Sequence, residues 1–210
     1  MAIRPSDGFT LRTNVTQQRM TTDQPVPTGV GTLGMKLFIA SLSFIFAASI
    51  LLYLLLLAPE ESPAIEHLPV IAAGVFVSTA LILASSVTLR RGSRAVRADR
   101  CDELAVWLKR TLWLGYGFGA LQTANWVLVW IAVDPFASGN RHAGFFIVLT
   151  IVHALHVVGG VVRLVQITRR AQQGEFSAAH HEPVTNMAMY WHFLDVVWLL
   201  LVLAIVGVSI

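Results

Sequence analysis

Five stretches of this chain run for longer than a lipid bilayer is thick with almost no charge. Leu37 to Ala58 and Leu68 to Leu89 are 22 residues each without a charge, and Thr111 to Val133 is 23. Ala143 to Thr168 is interrupted only by Arg163, and Met187 to Ile210 only by Asp195. About 20 apolar residues span the hydrocarbon core as a helix, and a helix satisfies its own backbone groups where water is absent. The fold class expected is therefore all-α: a polytopic membrane protein, a bundle of five transmembrane helices at about 37–58, 68–89, 111–133, 143–168 and 187–210. Only 13% of the residues are charged and the mean hydropathy is +0.66, against about a quarter charged in soluble domains. Residues 1–36, with Pro25, Pro27, Gly29, Gly31 and Gly34, read as a flexible tail. That tail lacks the pattern of a cleavable signal peptide.

A pI near 9.5 and a net charge of +3 raise nucleic acid as a partner until the basic residues are placed. Arg4, Arg12, Arg19 and Lys36 precede the first span. Arg90, Arg91, Arg94, Arg97, Arg100, Lys109 and Arg110 lie between the second and third, and Arg163, Arg169 and Arg170 end the fourth. Arg141 alone falls on the opposite side, with Glu60, Glu61, Glu66 and Asp134. The positive-inside rule then puts the N-terminus in the cytoplasm and the C-terminus outside. The basic residues are a topology signal and no nucleic-acid partner is expected. Arg90 to Arg110 reads as a cytoplasmic hairpin of helix extensions, attracted to anionic headgroups. The single cysteine, Cys101, excludes a disulfide framework and covalently attached haem.

Polar side chains within the spans are few, and such residues face protein, water or a partner. His153 and His156 share a face of the fourth span. His192 and Asp195 repeat the spacing in the fifth, flanked by Trp191 and Trp198, and Gln122 and Asn125 repeat it in the third. A polar seam between these three helices is expected, either as interhelical hydrogen bonding, as a proton relay, or as a haem site. Arg163 and Asp195 fall at similar depths on antiparallel helices and are expected to form an ion pair, unless Arg163 reaches the interface alone. Gly115, Gly117 and Gly119 in the third span and Gly159-Gly160 in the fourth read as close-packing residues; as a phosphate loop the first group lacks a preceding strand and a following Lys.

The run Tyr190-Trp191-His192-Phe193-Leu194-Asp195-Val196-Val197-Trp198 closely resembles the Y-W-H-F-x-D-x-V-W signature of subunit III of haem-copper oxidases. His153-Ala154-Leu155-His156-Val157 with Gly160 resembles the family's H-x-x-H-V-x-x-G. Thr79 to Thr88 resembles its T-x-x-L-x-x-S-S-x-T helix, and Leu33 to Ser41 its L-G-M-x-L-F-x-A-S opening. The likeness covers about residues 33–210. It implies a five-helix form, without the first two helices of the seven-helix type, in a bacterial cytoplasmic (inner) membrane. It further implies a subunit that is non-catalytic by itself and carries no metal or other cofactor. Such a subunit packs on the catalytic subunit I, where haem and copper reside, and on other oxidase subunits. It holds phospholipid in a cleft and supports proton uptake and stability. The sequence departs from the family where Leu42 and Asn125 replace intramembrane glutamates, so proton handling by those acids does not carry over. Two other functions stay open: an accessory subunit of a nitric-oxide reductase, and a small haem-binding, quinol-oxidising cytochrome using His153, His156 and His192.

Overall fold

The computed structural model describes residues 29–57, 68–133 and 141–208. Five helices are seen there: α1 (Val30–Leu57), α2 (Leu68–Arg97), α3 (Cys101–Val133), α4 (Arg141–Gln172) and α5 (Glu182–Val208). Residues 1–28 of the expected tail, and the acidic connections at Glu60, Glu61, Glu66 and Asp134, lie outside the described residues. The stretch from Gly31 onward is one compact unit.

Four of these helices are long and apolar enough to cross a membrane: Val30–Leu55, Ala73–Arg97, Ile147–Gln172 and Glu182–Ala204. Helix α3 is 33 residues long, but Gln122, Asn125 and three glycines dilute its hydropathy. The first helix begins at Val30, not Leu37 as the sequence suggested. Gly31 and Gly34, part of the expected flexible tail, lie inside the helix, where each costs only about 1 kcal/mol against alanine. Gly29, with φ +102°, takes the left-handed turn at the boundary instead.

The α2 and α3 helices run antiparallel in one continuous register. It is marked by Thr88 Oγ1 at 2.9 Å from Thr111 Oγ1, by Gln122 Nε2 donating to Ser78 Oγ at 2.5 Å, and by Trp107 against Gly92 and Leu81 against Gly117. The connection between them is three residues. Asp99 sits in the left-handed region at φ 58°, while Arg100 N donates to Ala95 O at 2.9 Å and Asp99 N to Val96 O at 3.1 Å. This is a Schellman closure, which satisfies the last carbonyls of α2. The same device ends α4, with Gly174 at φ 72° and Glu175 N on Arg170 O at 3.2 Å. The α4–α5 connection then docks on the hairpin tip: Ala178 N donates to Asp99 Oδ1 at 3.0 Å and Cys101 Sγ to Phe176 O at 3.1 Å.

Helices α2, α3, α4 and α5 close into a ring, α2 against α3, α3 against α4, α4 against α5 and α5 against α2. Helix α1 stands apart: among the described residues none of its Cα atoms comes within 8 Å of one in another helix. It is attached through the long side chains of Leu42, Phe46 and Tyr53, all buried.

Candidate functional site

Two tryptophans of α5, one heptad apart, fill the ring. Trp191 is 1% exposed and Trp198 4%. An indole carries one N–H donor and no acceptor, so a buried tryptophan needs an acceptor facing it. Helix α2 supplies one at each level: Trp191 Nε1 donates to Ser85 Oγ at 2.9 Å, and Trp198 Nε1 to Thr79 Oγ1 at 3.0 Å. Each hydroxyl spends its own proton within α2, Ser85 on Ile82 O at 2.7 Å and Thr79 on Val75 O at 2.7 Å. Its lone pairs are thereby left free for the neighbour.

The indole rings reach the other two helices by contact. A Cβ on Gly115 of α3 would lie 3.3 Å from Trp191, and one on Gly160 of α4 would lie 3.4 Å from it and 3.2 Å from Leu194 and Tyr190. Trp198 meets Phe118 of α3 edge-on at 5.2 Å and His153 of α4 at 5.8 Å. Of the glycines read as packing residues, Gly115, Gly117 and Gly160 face neighbours. Gly119 and Gly159 would meet nothing within 4 Å, so the G-x-x-x-G is not a two-point helix contact.

His192 faces α2 as well. Arg90 Nε lies 3.4 Å from its Nε2, and Ser86 Oγ 2.5 Å from its Nδ1. Asp195 Oδ2 lies 3.6 Å from that Nδ1, too long for a hydrogen bond. Asp195 is 4% exposed, and neither of its oxygens has a hydrogen-bond partner.

The polar seam expected between the third, fourth and fifth spans is therefore distributed differently. Gln122 reaches α2 at Ser78. Asn125 is buried with its amide over Gly74 of α2, where any Cβ would collide with it, and its Nδ2 has no partner. On α4, His156 turns Nδ1 to its own Val152 O at 2.7 Å, and Tyr190 of α5 donates to His156 O at 3.0 Å. His153 is buried with Nδ1 unpartnered. Between these helices stands Phe46 of α1, its ring 6.1 Å from His153, 5.3 Å from His156 and 6.2 Å from Phe193. The three histidines thus line no common space, two meeting Phe46 and the third α2. Among the described residues no group of three or more His, Cys, Asp or Glu could hold a metal ion.

Arg163 and Asp195 are not brought together. Arg163 lies on the exposed face of α4 and donates to Gln166 Oε1 at 3.1 Å, whereas Asp195 points into the bundle. They do not share a level: the α4–α5 register sets His153 beside Trp198 and Gly160 against Tyr190 and Leu194, so Arg163 falls beside Glu182, Asn186 and Met187, about two helical turns before Asp195. Sequence reasoning also missed the partners on α2: Ser78, Thr79, Ser85, Ser86 and Arg90. The signal for most of them is the S-S pair and the threonines of the Thr79 to Thr88 run, hydroxyls that can accept from a neighbouring helix while donating within their own.

Five described helices, four of them long and apolar enough to cross a membrane and joined by interhelical hydrogen bonds, define a helical integral-membrane protein. A family model described as cytochrome c oxidase subunit III matches residues 13–208, and the chain belongs to that family. It is 28% identical over 170 residues to the cytochrome c oxidase subunit 3 of Thermostichus vulcanus, covering 80% of this chain and 83% of that one. It is 30% identical over 175 residues to that of Synechocystis, covering 80% and 71%. The likeness to the subunit 3 of Squalus acanthias is 36% over 129 residues, 61% of this chain and 48% of that one. Leu42 and Asn125 are both buried, at 6% exposure each.

Proposed function

We propose that the chain is the non-catalytic subunit III of a haem-copper terminal oxidase of the cytochrome c oxidase type, in an aerobic respiratory chain. It packs on the catalytic subunit I, which carries the haem and copper, holds structural lipid, and supports proton uptake and stability of the complex. The observation that carries this reading is the nine-residue Tyr190 to Trp198 signature. It is seated with Trp191, His192 and Trp198 on the hydroxyls of a second family motif, Thr79 to Thr88.

The reading includes five spans, with the N-terminus cytoplasmic and the C-terminus periplasmic in a bacterial inner membrane. Supporting α3 as a span is the unbroken α2–α3 register from Gly74 against Asn125 to Gly92 against Trp107, because a helix paired along the length of a membrane span crosses with it. Lipid holding is supported by a cavity of about 360 Å³ between the start of α1, α4 and the start of α5. There Arg163 and Glu182 offer opposite charges to a headgroup beside Met35, Met187 and Tyr190. The resemblance supports the proton-uptake role, through contact with subunit I rather than through the absent glutamates.

Affinity purification of the tagged chain from membranes tests the reading. Recovery of an oxygen-reducing haem-copper subunit is expected. Recovery of a nitric-oxide reductase instead, or of the chain alone with its own Soret absorption, would overturn it.

A further inference from the structure

The α2–α3 hairpin carries a second concentration of charge, remote from the tryptophans. A cleft of about 250 Å³ is lined by Arg91, Arg94, Arg100, Glu103 and Trp107. Arg91 from α2 and Arg110 from α3 both stack on the Trp107 ring, at 5.1 and 4.7 Å from its centre. The close approach that permits this is made at Gly92, where a Cβ would come within 3.2 Å of Trp107 Cβ. The one acid, Glu103, is taken by Arg100 at 2.9 Å. Among the described residues no carboxylate pairs with Arg91 or Arg94. The cleft is thus a built cationic site with guanidinium donors to spare, and guanidinium forks match phosphate oxygens.

Its position says which phosphate. One helical turn back from Arg91, on the same face, is Val87, 50% exposed, and beyond it Leu83; one turn on from Arg110 is Trp113, 74% exposed, meeting the exposed Tyr116 edge-on. The cations therefore continue directly into an apolar and aromatic strip on the membrane side. That is the order of groups in a phospholipid, and exposed tryptophan and tyrosine mark headgroup depth. We propose that this cleft binds the headgroup phosphate of an anionic phospholipid, with its chains laid along Val87, Leu83, Trp113 and Tyr116. The inference rests on α3 being a membrane span, which is part of the preceding reading.

The test is native mass spectrometry of the purified oxidase complex from nanodiscs of phosphatidylcholine mixed with phosphatidylglycerol. Retention of phosphatidylglycerol is expected, falling about thirtyfold in R91Q/R94Q, near fivefold for each arginine removed. R91K/R94K keeps the charge and is expected to retain the lipid within a few fold. K109Q/R169Q removes as much charge from the same side but outside the cleft, and is expected to change retention little. Unaltered retention in R91Q/R94Q would overturn the proposal. So would an equal loss in K109Q/R169Q, which means diffuse attraction, or displacement by inorganic phosphate, which means a site for soluble anions. Reporter fusions to the hairpin and to the C-terminus test independently whether α3 spans the membrane, so failure of that reading would be recognised as such.

Discussion

Helices α5 and α1 are both apolar, yet they are held in opposite ways. The α5 helix is one wall of the ring and fills it with its indoles, and Trp191, His192 and Trp198 are each tied to an α2 hydroxyl. The α1 helix lies outside it, with no backbone approach to another helix, and its serines bond only to their own carbonyls, as Ser43 does to Ile39 O at 2.8 Å. In lipid there is little hydrophobic drive between helices, so packing and hydrogen bonds decide association. The α5 helix is therefore fixed in register and rotation, while α1 is attached by a few large side chains. A chain that must present one face to a larger complex gains from this division: a rigid centre, and an outer helix that leaves Leu37, Phe44, Leu51 and Leu55 exposed.

The largest effect that would break the comparison is expected from Trp191→Ala. It empties a fully buried site and strands the Ser85 lone pairs, at a cost of about 3–5 kcal/mol, and assembled complex should disappear from blue-native gels. Next comes Gly115→Val, which drives a side chain into the same indole for about 1–3 kcal/mol and should lower the thermal midpoint without abolishing assembly. Phe46→Ala should act locally, raising hydrogen exchange and protease cutting in α1 and leaving α2 to α5 protected. Loss of protection throughout would show the two regions to be one cooperative unit. The smallest contrast is Ser85→Ala, worth about 1 kcal/mol, against Ser43→Ala on the exposed face of α1, expected within about 0.5 kcal/mol of the parent.

Much of this was legible in the sequence because lipid imposes a length. Spans α1, α2, α4 and α5 follow from runs of about 20 apolar residues, and the extended hairpin follows from Arg90 to Arg110. The start of α1 was misplaced because glycines were weighed as they act in loops, and Gly31 and Gly34 lie within the helix. The seam was misassigned for a different reason. His, Asn, Gln and Asp announce themselves in a membrane by their cost, whereas Ser85 or Thr79 can satisfy its proton on its own helix and so advertises no need of a partner. The tryptophans do need one, and the acceptors stood in the Thr79 to Thr88 run. The expected Arg163–Asp195 pair failed because the relative depth of two antiparallel helices is set by their packing register, here Gly160 against Tyr190 and Leu194, which leaves Arg163 about two turns from Asp195.

The account's central claim is that indole-to-hydroxyl bonds lock α5 onto α2. The most direct test is a double-mutant cycle between Trp191→Phe and Ser85→Ala, read as unfolding free energy of the assembled subunit. If the claim holds, both single variants lose the same bond and the double variant is no worse than Trp191→Phe alone, a coupling of about 0.6–1.7 kcal/mol. Strictly additive losses would contradict it.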